Sequence, residues 1–391
     1  MSGTNMAEPS QVHRTAHAMS RSQEWRIRLL LAVSVTTFAF LLSCVAGEIA
    51  LRYRERHRET VPGTAPLLYY RHGRLGLALV RDYDYFGWFH TNRQGFRGPR
   101  SVATEKTPGV LRVLAVGGST TFDIFVSSDS AAWPARLEHW LQQLYPGRRF
   151  EVINAGVPGY VMMQDLIRLE TELDRFQPDL LILYQGHNDL FANLRGSKKQ
   201  NEPFDPTPGE IPRLTPWMRW LERHSLLYAK VATGLQRQQL SRSAPRDAGA
   251  PKPTEESDDG SQQFGSTVAL YLAVARTLNI PVLVPEIVQI SGTRLEESDS
   301  ALRRIWRISV PFASPDRVLK AYQQYSVVLQ KVCLQYHVPF LPMQDLGISG
   351  AKFYAPEDPI HFNDQGADRF AEGLARKILR DSLLQNLARA P

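Results

Sequence analysis

Past residue 110 the chain alternates between short runs that are apolar on both faces and longer stretches whose apolar residues recur at helical spacing. The runs are 111–116 (LRVLAV), 150–155 (FEVINA), 179–184 (DLLILY), 280–286 (IPVLVPE) and 338–343 (VPFLPM). The helical stretches are 131–145, 163–176, 264–279, 317–337 and 365–387. Strands without a polar face are covered on both sides, and helical connections between them make the pairing parallel. With right-handed crossovers the pattern predicts a three-layer α/β/α sandwich around a five-stranded parallel sheet, of flavodoxin-like topology.

Two segments break the alternation. The first is 29–47 (LLLAVSVTTFAFLLSCVAG), which carries no charge. As a helix it spans about 28 Å, close to the hydrocarbon thickness of a bilayer. We read 29–51 as a transmembrane helix retained as a single-pass anchor, after a polar tail over 1–28. A cleaved signal peptide and a buried helix are the alternatives; the run is long for the former and shows no obvious small-x-small cleavage site. Arginines flank both ends (Arg26 and Arg28; Arg52, Arg54, Arg56 and Arg58), so charge does not set the orientation.

The second is an insertion at about 190–263 in the domain expected over 108–391. Thr215 and Pro216 form a helix-start signal. Trp217, Trp220, Leu221, His224, Leu227, Tyr228 and Val231 then recur at helical spacing to about residue 235. Core packing is the expected role of that stripe, with a lid or a membrane-surface helix as alternatives. The polar stretch 241–263 lacks large apolar residues and reads as a disordered surface loop. Residues 61–107 form an aromatic-rich lead-in segment in which Asn92, Gly95 and Gly98 mark tight turns.

Composition narrows the function classes. The net charge of +7 is spread along 391 residues. No basic block is interleaved with aromatics, so no nucleic-acid module is expected. Arg303, Arg304, Trp306 and Arg307 read as a solvated helix face. The two cysteines, Cys44 and Cys333, cannot readily pair because Cys44 lies in the apolar segment. No zinc-ligand spacing exists, and no metal or organic cofactor is expected. Nothing in the sequence indicates an oligomeric state.

The candidate chemistry lies at the ends of the runs. In open parallel sheets ligands bind beyond the carboxyl ends of the strands. Ser119, Gly159 and Asn188 each follow one of the first three runs, in "VGGST", "NAGVPGY" and "GHND". Asp358 and His361 stand three apart in "DPIH", before the last helix. A carboxylate at that spacing can fix a histidine tautomer so that Nε2 faces a serine.

These four blocks, in this order, resemble the SGNH/GDSL-type hydrolases; "AAWPARL" resembles that family's first helix. The likeness runs from about residue 111 to the C-terminus, apart from the insertion. It implies Ser119 as nucleophile, His361 as base, Asp358 as its orienting partner, and Ser119, Gly159 and Asn188 as oxyanion donors. Gly156 is a weaker substitute for Gly159. The family's acidic residue before the serine is absent, since Gly118 stands there. His187 occupies a variable position and reads as a loop histidine satisfied by solvent. The implied activity is ester hydrolysis through an acyl-serine, on a small-molecule or saccharide ester. O-acyl transfer to or from a saccharide at the same site is the alternative, and a non-catalytic membrane-anchored binding protein a third reading. By family analogy the catalytic domain lies outside the cytoplasm.

Overall fold

The computed structural model describes residues 21–56, 68–85, 87–195, 216–228, 231, 260–292, 299–311 and 313–384. It divides into two units, residues 1–54 and 55–391. The first holds most of helix α1 (Arg21–Arg56), longer at both ends than the expected 29–51. Charged residues extend it without cost because they pair along its surface: Arg52 Nε donates to Glu48 Oε1 at 2.6 Å, four residues back. Thr36 and Ser43 donate to the carbonyls of Ala32 and Ala39, so these two hydroxyls of the apolar run are satisfied within the helix. By length and composition the helix can cross a membrane, a test that a signal sequence also passes. The tail before residue 21 lies outside the described residues.

The second unit opens with two antiparallel hairpins, β1 (Tyr69–His72) with β2 (Gly76–Leu79) and β3 (Tyr83–Tyr85) with β4 (Phe89–Thr91). Then come β5 (Val110–Gly117), α2 (Ser119–Phe122), α3 (Trp133–Leu144), β6 (Arg149–Asn154), α4 (Met162–Arg168), β7 (Leu180–Tyr184) and α5 (His187–Leu194). After α6 (Pro216–His224) follow α7 (Ser261–Thr277), β8 (Val282–Pro285), α8 (Ser300–Ser309), α9 (Pro315–Tyr336), β9 (Phe340–Leu341) and α10 (Asp364–Arg380).

One five-stranded sheet runs in the order β6-β5-β7-β8-β9, every pair parallel. The handedness rule explains its layers. The step from β5 to β6 runs one way across the sheet; the steps from β6 to β7, β8 and β9 run the other way, so their crossovers lie on opposite faces. Accordingly α3 packs against α10, and α7 packs against α4 and α9. Val113, Leu114, Ala115 and Val116 of β5 are fully buried, as its two-sided apolar pattern requires.

Three elements depart from expectation. The helix expected over 163–176 is α4 alone, followed by a π turn (Leu169–Leu173) and a 3-10 turn (Asp174–Phe176). Gln177 ends it at φ 51°, ahead of Pro178, which cannot continue a helix. In the insertion, α6 stops at His224, and Trp217 and Trp220 are 61% and 58% exposed, not core. Leu226, just beyond, supplies the buried contact instead. On α8 Trp306 is buried, so only its arginine face is solvated. Thr215 and residues 241–259 lie outside the described residues.

The lead-in segment is part of the domain. Arg97 N–H donates to the Asn154 carbonyl at 3.0 Å, bridging the segment to the end of edge strand β6. Asn92 Oδ1 accepts from the N–H groups of Gln94 and Phe96, closing the turn that precedes it. The buried Arg97 guanidinium donates from Nε to Asp129 at 2.9 Å. Its Nη1 donates to the carbonyls of Phe122 and Asp123, and Nη2 to that of Ser128. It therefore ties the lead-in to both ends of the loop that follows Ser119. Replacing Arg97 with Met removes these donors and leaves Asp129 and three carbonyls each short of a partner. Stability is expected to drop by about 3 kcal/mol, read by denaturant unfolding of the detergent-solubilised chain; an unchanged midpoint would show that the link carries no load.

Candidate active site

Ser119 begins α2, with only Gly118 between it and the end of β5. The turn before it is made of two glycines for different reasons. At Gly117, φ is 152° and a Cβ would overlap the Tyr184 carbonyl, so β5 can end close against β7 only with glycine there. At Gly118, a Cβ would come within 2.7 Å of Asn188 Nδ2. The acidic residue expected before the serine is thus replaced by space for the asparagine amide. Three further contacts hold α2: Thr121 Oγ1 donates to the Tyr184 carbonyl at 2.8 Å, Trp133 Nε1 to the Thr120 carbonyl at 3.0 Å, and Asn154 Nδ2 to the Phe122 carbonyl at 3.2 Å.

The opposite wall is the segment before α10. His361 Nε2 lies 2.8 Å from Ser119 Oγ, and His361 Nδ1 lies 2.9 Å from Asp358 Oδ2. Asp358 Oδ1 accepts from the backbone N–H groups of Ile360 and His361 at 2.9 and 2.8 Å. Both carboxylate oxygens are therefore fixed. Burial would raise the Asp358 carboxyl, but the adjacent His361 and these three hydrogen bonds outweigh it and hold it below its ordinary value. An ionised Asp358 accepts a proton bond from Nδ1–H, which leaves the lone pair of Nε2 facing the Ser119 hydroxyl. Phe125 packs against the His361 ring at 4.9 Å between centroids.

The third wall comes from the loops after β6 and β7. Asn188 Nδ2 donates to the Tyr160 carbonyl at 2.8 Å while touching the space above Gly118. Asp189 holds this loop, accepting from Met162 N–H at 3.1 and 3.2 Å. Gly159 faces solvent with φ 85°, and among the described residues nothing accepts from its N–H. Gly156 differs: its N–H donates to Asn154 Oδ1 at 3.1 Å, and a Cβ there would overlap Phe122 N. Its N–H is occupied, and its role is to let α2 approach. Ser119, His361 and Asp358 are joined by hydrogen bonds, and Asn188 abuts the serine turn. Gly159 shares no hydrogen bond with any of them.

Sequence reasoning misjudged His187. It is 2% exposed and its Nδ1 lies 2.7 Å from the Tyr322 hydroxyl of α9. A partner 135 residues away removes it from solvent. Burial, then the nearby His361, pushes its pKa down to about 3, opposed by Asp358. Asp123, which ends α2, and Asp165 and Asp189 are each raised to about 7 by burial.

The model of the GDSL-like lipase/acylhydrolase family matches residues 115–369, more than half of the chain. The chain belongs to the GDSL-like lipase/acylhydrolase family. It is an acylhydrolase of a family that acts on ester bonds. No curated protein sequence matches it. Among solved structures it is similar to TesA, at 17% identity over 70% of this chain and 99% of that chain, with a TM-score of 0.42. It is also similar to Axe2, an acetylxylan esterase from Geobacillus stearothermophilus, at 14% identity over 68% and 94%, TM-score 0.40. A GDSL-like lipase from Bacteroides thetaiotaomicron shares 12% identity over 69% and 88%, TM-score 0.36. At these identities and TM-scores the likeness assigns no substrate.

The buried His187 sets an acid limit on stability. In the unfolded chain it binds a proton below its ordinary pKa near 6.5; in the folded chain it stays neutral down to about 3. Its contribution is therefore fully present above about pH 6.5 and is lost as pH falls towards 3. His187→Gln cannot titrate. Its stability deficit relative to wild type is expected to shrink by about 2 kcal/mol between about pH 7 and pH 5. Parallel unfolding curves at the two pH values measure this; a deficit independent of pH would rule it out.

Proposed function

We propose that the chain is a serine ester hydrolase in which Ser119 is the nucleophile, His361 the general base and Asp358 its orienting partner. The observation that carries this reading is the continuous hydrogen-bonded line from Asp358 through His361 to Ser119 Oγ, at 2.9 and 2.8 Å. His361 Nε2 takes the serine proton as Oγ attacks the ester carbonyl. The resulting oxyanion is met by the Ser119 and Gly159 N–H groups and Asn188 Nδ2, each donor contributing about 3 kcal/mol in the transition state. His361 then protonates the leaving alcohol. Water, deprotonated by the same imidazole, releases the acid from the acyl-serine. Ser119 and His361 are both partly open to solvent, which favours water over a dedicated acyl acceptor as the second nucleophile.

The substrate is a small-molecule or saccharide ester, and an acetylated saccharide belongs in the first panel beside aryl esters. Ser119→Ala and His361→Ala should abolish hydrolysis of p-nitrophenyl acetate in a folded protein. Asp358→Ala should retain more activity, because Asp358 takes no proton itself. Asn188→Ala should lower kcat by roughly 100-fold or more. A folded Ser119→Ala protein that still turns over the ester sinks the assignment. Acyl transfer in place of hydrolysis would show as acylated sugar when saccharide acceptors are added.

We further propose that α1 remains on the mature protein as an anchor, with the catalytic unit outside the cytoplasm. The support is its uncharged run and the outward exposure of Leu31, Val35 and Phe38. The intact chain is expected in the membrane fraction, with the catalytic unit open to added protease in spheroplasts. Intact chain in the soluble fraction, or a mature chain lacking α1, would overturn the anchor; protection from protease would overturn the orientation.

A further inference from the structure

The loop bearing Asn188 rests on a polar cluster that the catalytic line does not use. Gln185, the residue after β7, is 3% exposed and all its hydrogen-bonding sites face protein. Its Nε2 donates to the Tyr160 carbonyl at 2.9 Å and to Asp165 Oδ2 at 2.8 Å. Its Oε1 accepts from Gly186 N–H at 3.0 Å. The Tyr160 carbonyl that Gln185 grips is the same one that Asn188 Nδ2 donates to, at 2.8 Å. One carbonyl thus receives two amides, one from each end of the Gln185–Asn188 turn. Beneath them Asp165 is wholly buried, and its Oδ1 has no partner.

We propose that Gln185, backed by Asp165, is a positioning residue for the oxyanion donor Asn188. The inference rests on the reading of Asn188 as a donor. Nδ2 of Asn188 carries two protons. One is committed to Tyr160 O, and that bond sets where the other points. The carbonyl can set it only if its own peptide is fixed. Its N–H side, that of Val161, is held by Gln164 Oε1 at 3.0 Å, which leaves the carbonyl side to be fixed. Gln185 supplies the second grip, and Asp165 stops the Gln185 amide from rotating. Gly118 completes the arrangement, because a Cβ there would approach Gln185 Oε1 to 3.4 Å as well as Asn188 Nδ2.

Two substitutions separate positioning from mere packing. Gln185→Met keeps the volume and removes both donors. Gln185→Glu keeps the shape but can donate only when protonated. It would face Asp165 on α4, around which stand Arg168 on the same helix, Glu172 on the following turn, Asp189 across the loop and Tyr271 on α7. Two carboxyls that close cannot both ionise, so the pair would hold a shared proton and lose it as pH rises.

The full-length chain in detergent micelles is assayed on p-nitrophenyl acetate, with melting curves as a check of folding and Asn188→Ala alongside. Gln185→Met should lower kcat on the order of 100-fold with KM within about twofold, as for a misaimed catalytic group. For Gln185→Glu, the ratio of variant to wild-type kcat should fall as pH rises. Should Gln185→Met fail to fold, the near-isosteric Gln185→Glu carries the test. Wild-type kcat in a folded Gln185→Met protein, a rise in KM alone, or a pH-independent Gln185→Glu ratio would each overturn the inference. If Asn188→Ala is slow while Gln185→Met is not, the inference fails and the reading of the site stands. If Asn188→Ala is as fast as wild type, Asn188 is not a donor and both fall together.

Discussion

Ser119 is held in place chiefly by lack of space. Its turn is wedged between the loops after β6 and β7, and at both contacts the chains meet backbone to backbone. Gly117 lies against the Tyr184 carbonyl and Gly156 against Phe122 N, with no room for a Cβ at either. Backbone cannot swing aside as a side chain can, so the serine has one position. His361 approaches it from a segment 242 residues later, and α10 behind that segment packs on α3. The serine therefore meets an imidazole whose own position is set from the other side of the same helical layer.

Charge around this wedge is arranged in layers. Asp358, with three hydrogen bonds, is kept ionised. Asp123, Asp165 and Asp189 are buried with fewer compensating contacts, and each is raised to about 7. Arg97 and Arg168 stand among them as buried cations, Arg97 on Asp129 and Arg168 on Glu172. One carboxylate is thus held charged beside His361. The others are poised where a proton more or less changes the local field, and His187 is kept uncharged beside them.

What the sequence made legible, and what it did not, follows from range. The five runs are apolar on both faces, and that pattern is local; so are the glycine turns and the Asp358–His361 spacing. Each is written within about ten residues. The polar contacts under the site are not. Gln185 meets Asp165 and Tyr160 across 20 and 25 residues, Arg97 reaches Phe122 across 25, and His187 finds Tyr322 across 135. Such pairs have no period, and a single glutamine before a glycine carries no mark of being buried. The reading of Trp217 and Trp220 as core failed for a related reason. Helical spacing says that residues share a face and not whether anything covers it.

Arg97 has a bearing on where the functional protein begins. The family likeness starts at residue 115, after both hairpins and after the guanidinium that grips the far side of the serine loop. Phe122 and Tyr160, on the two sides of the site, pack into one apolar cluster with Leu75, Tyr83 and Phe89 of the lead-in. The smallest piece that folds is consequently larger than the piece that looks familiar. A fragment trimmed to the recognisable region would contain the whole hydrogen-bonded line from Asp358 to Ser119 and expose the apolar underside of the Ser119 turn.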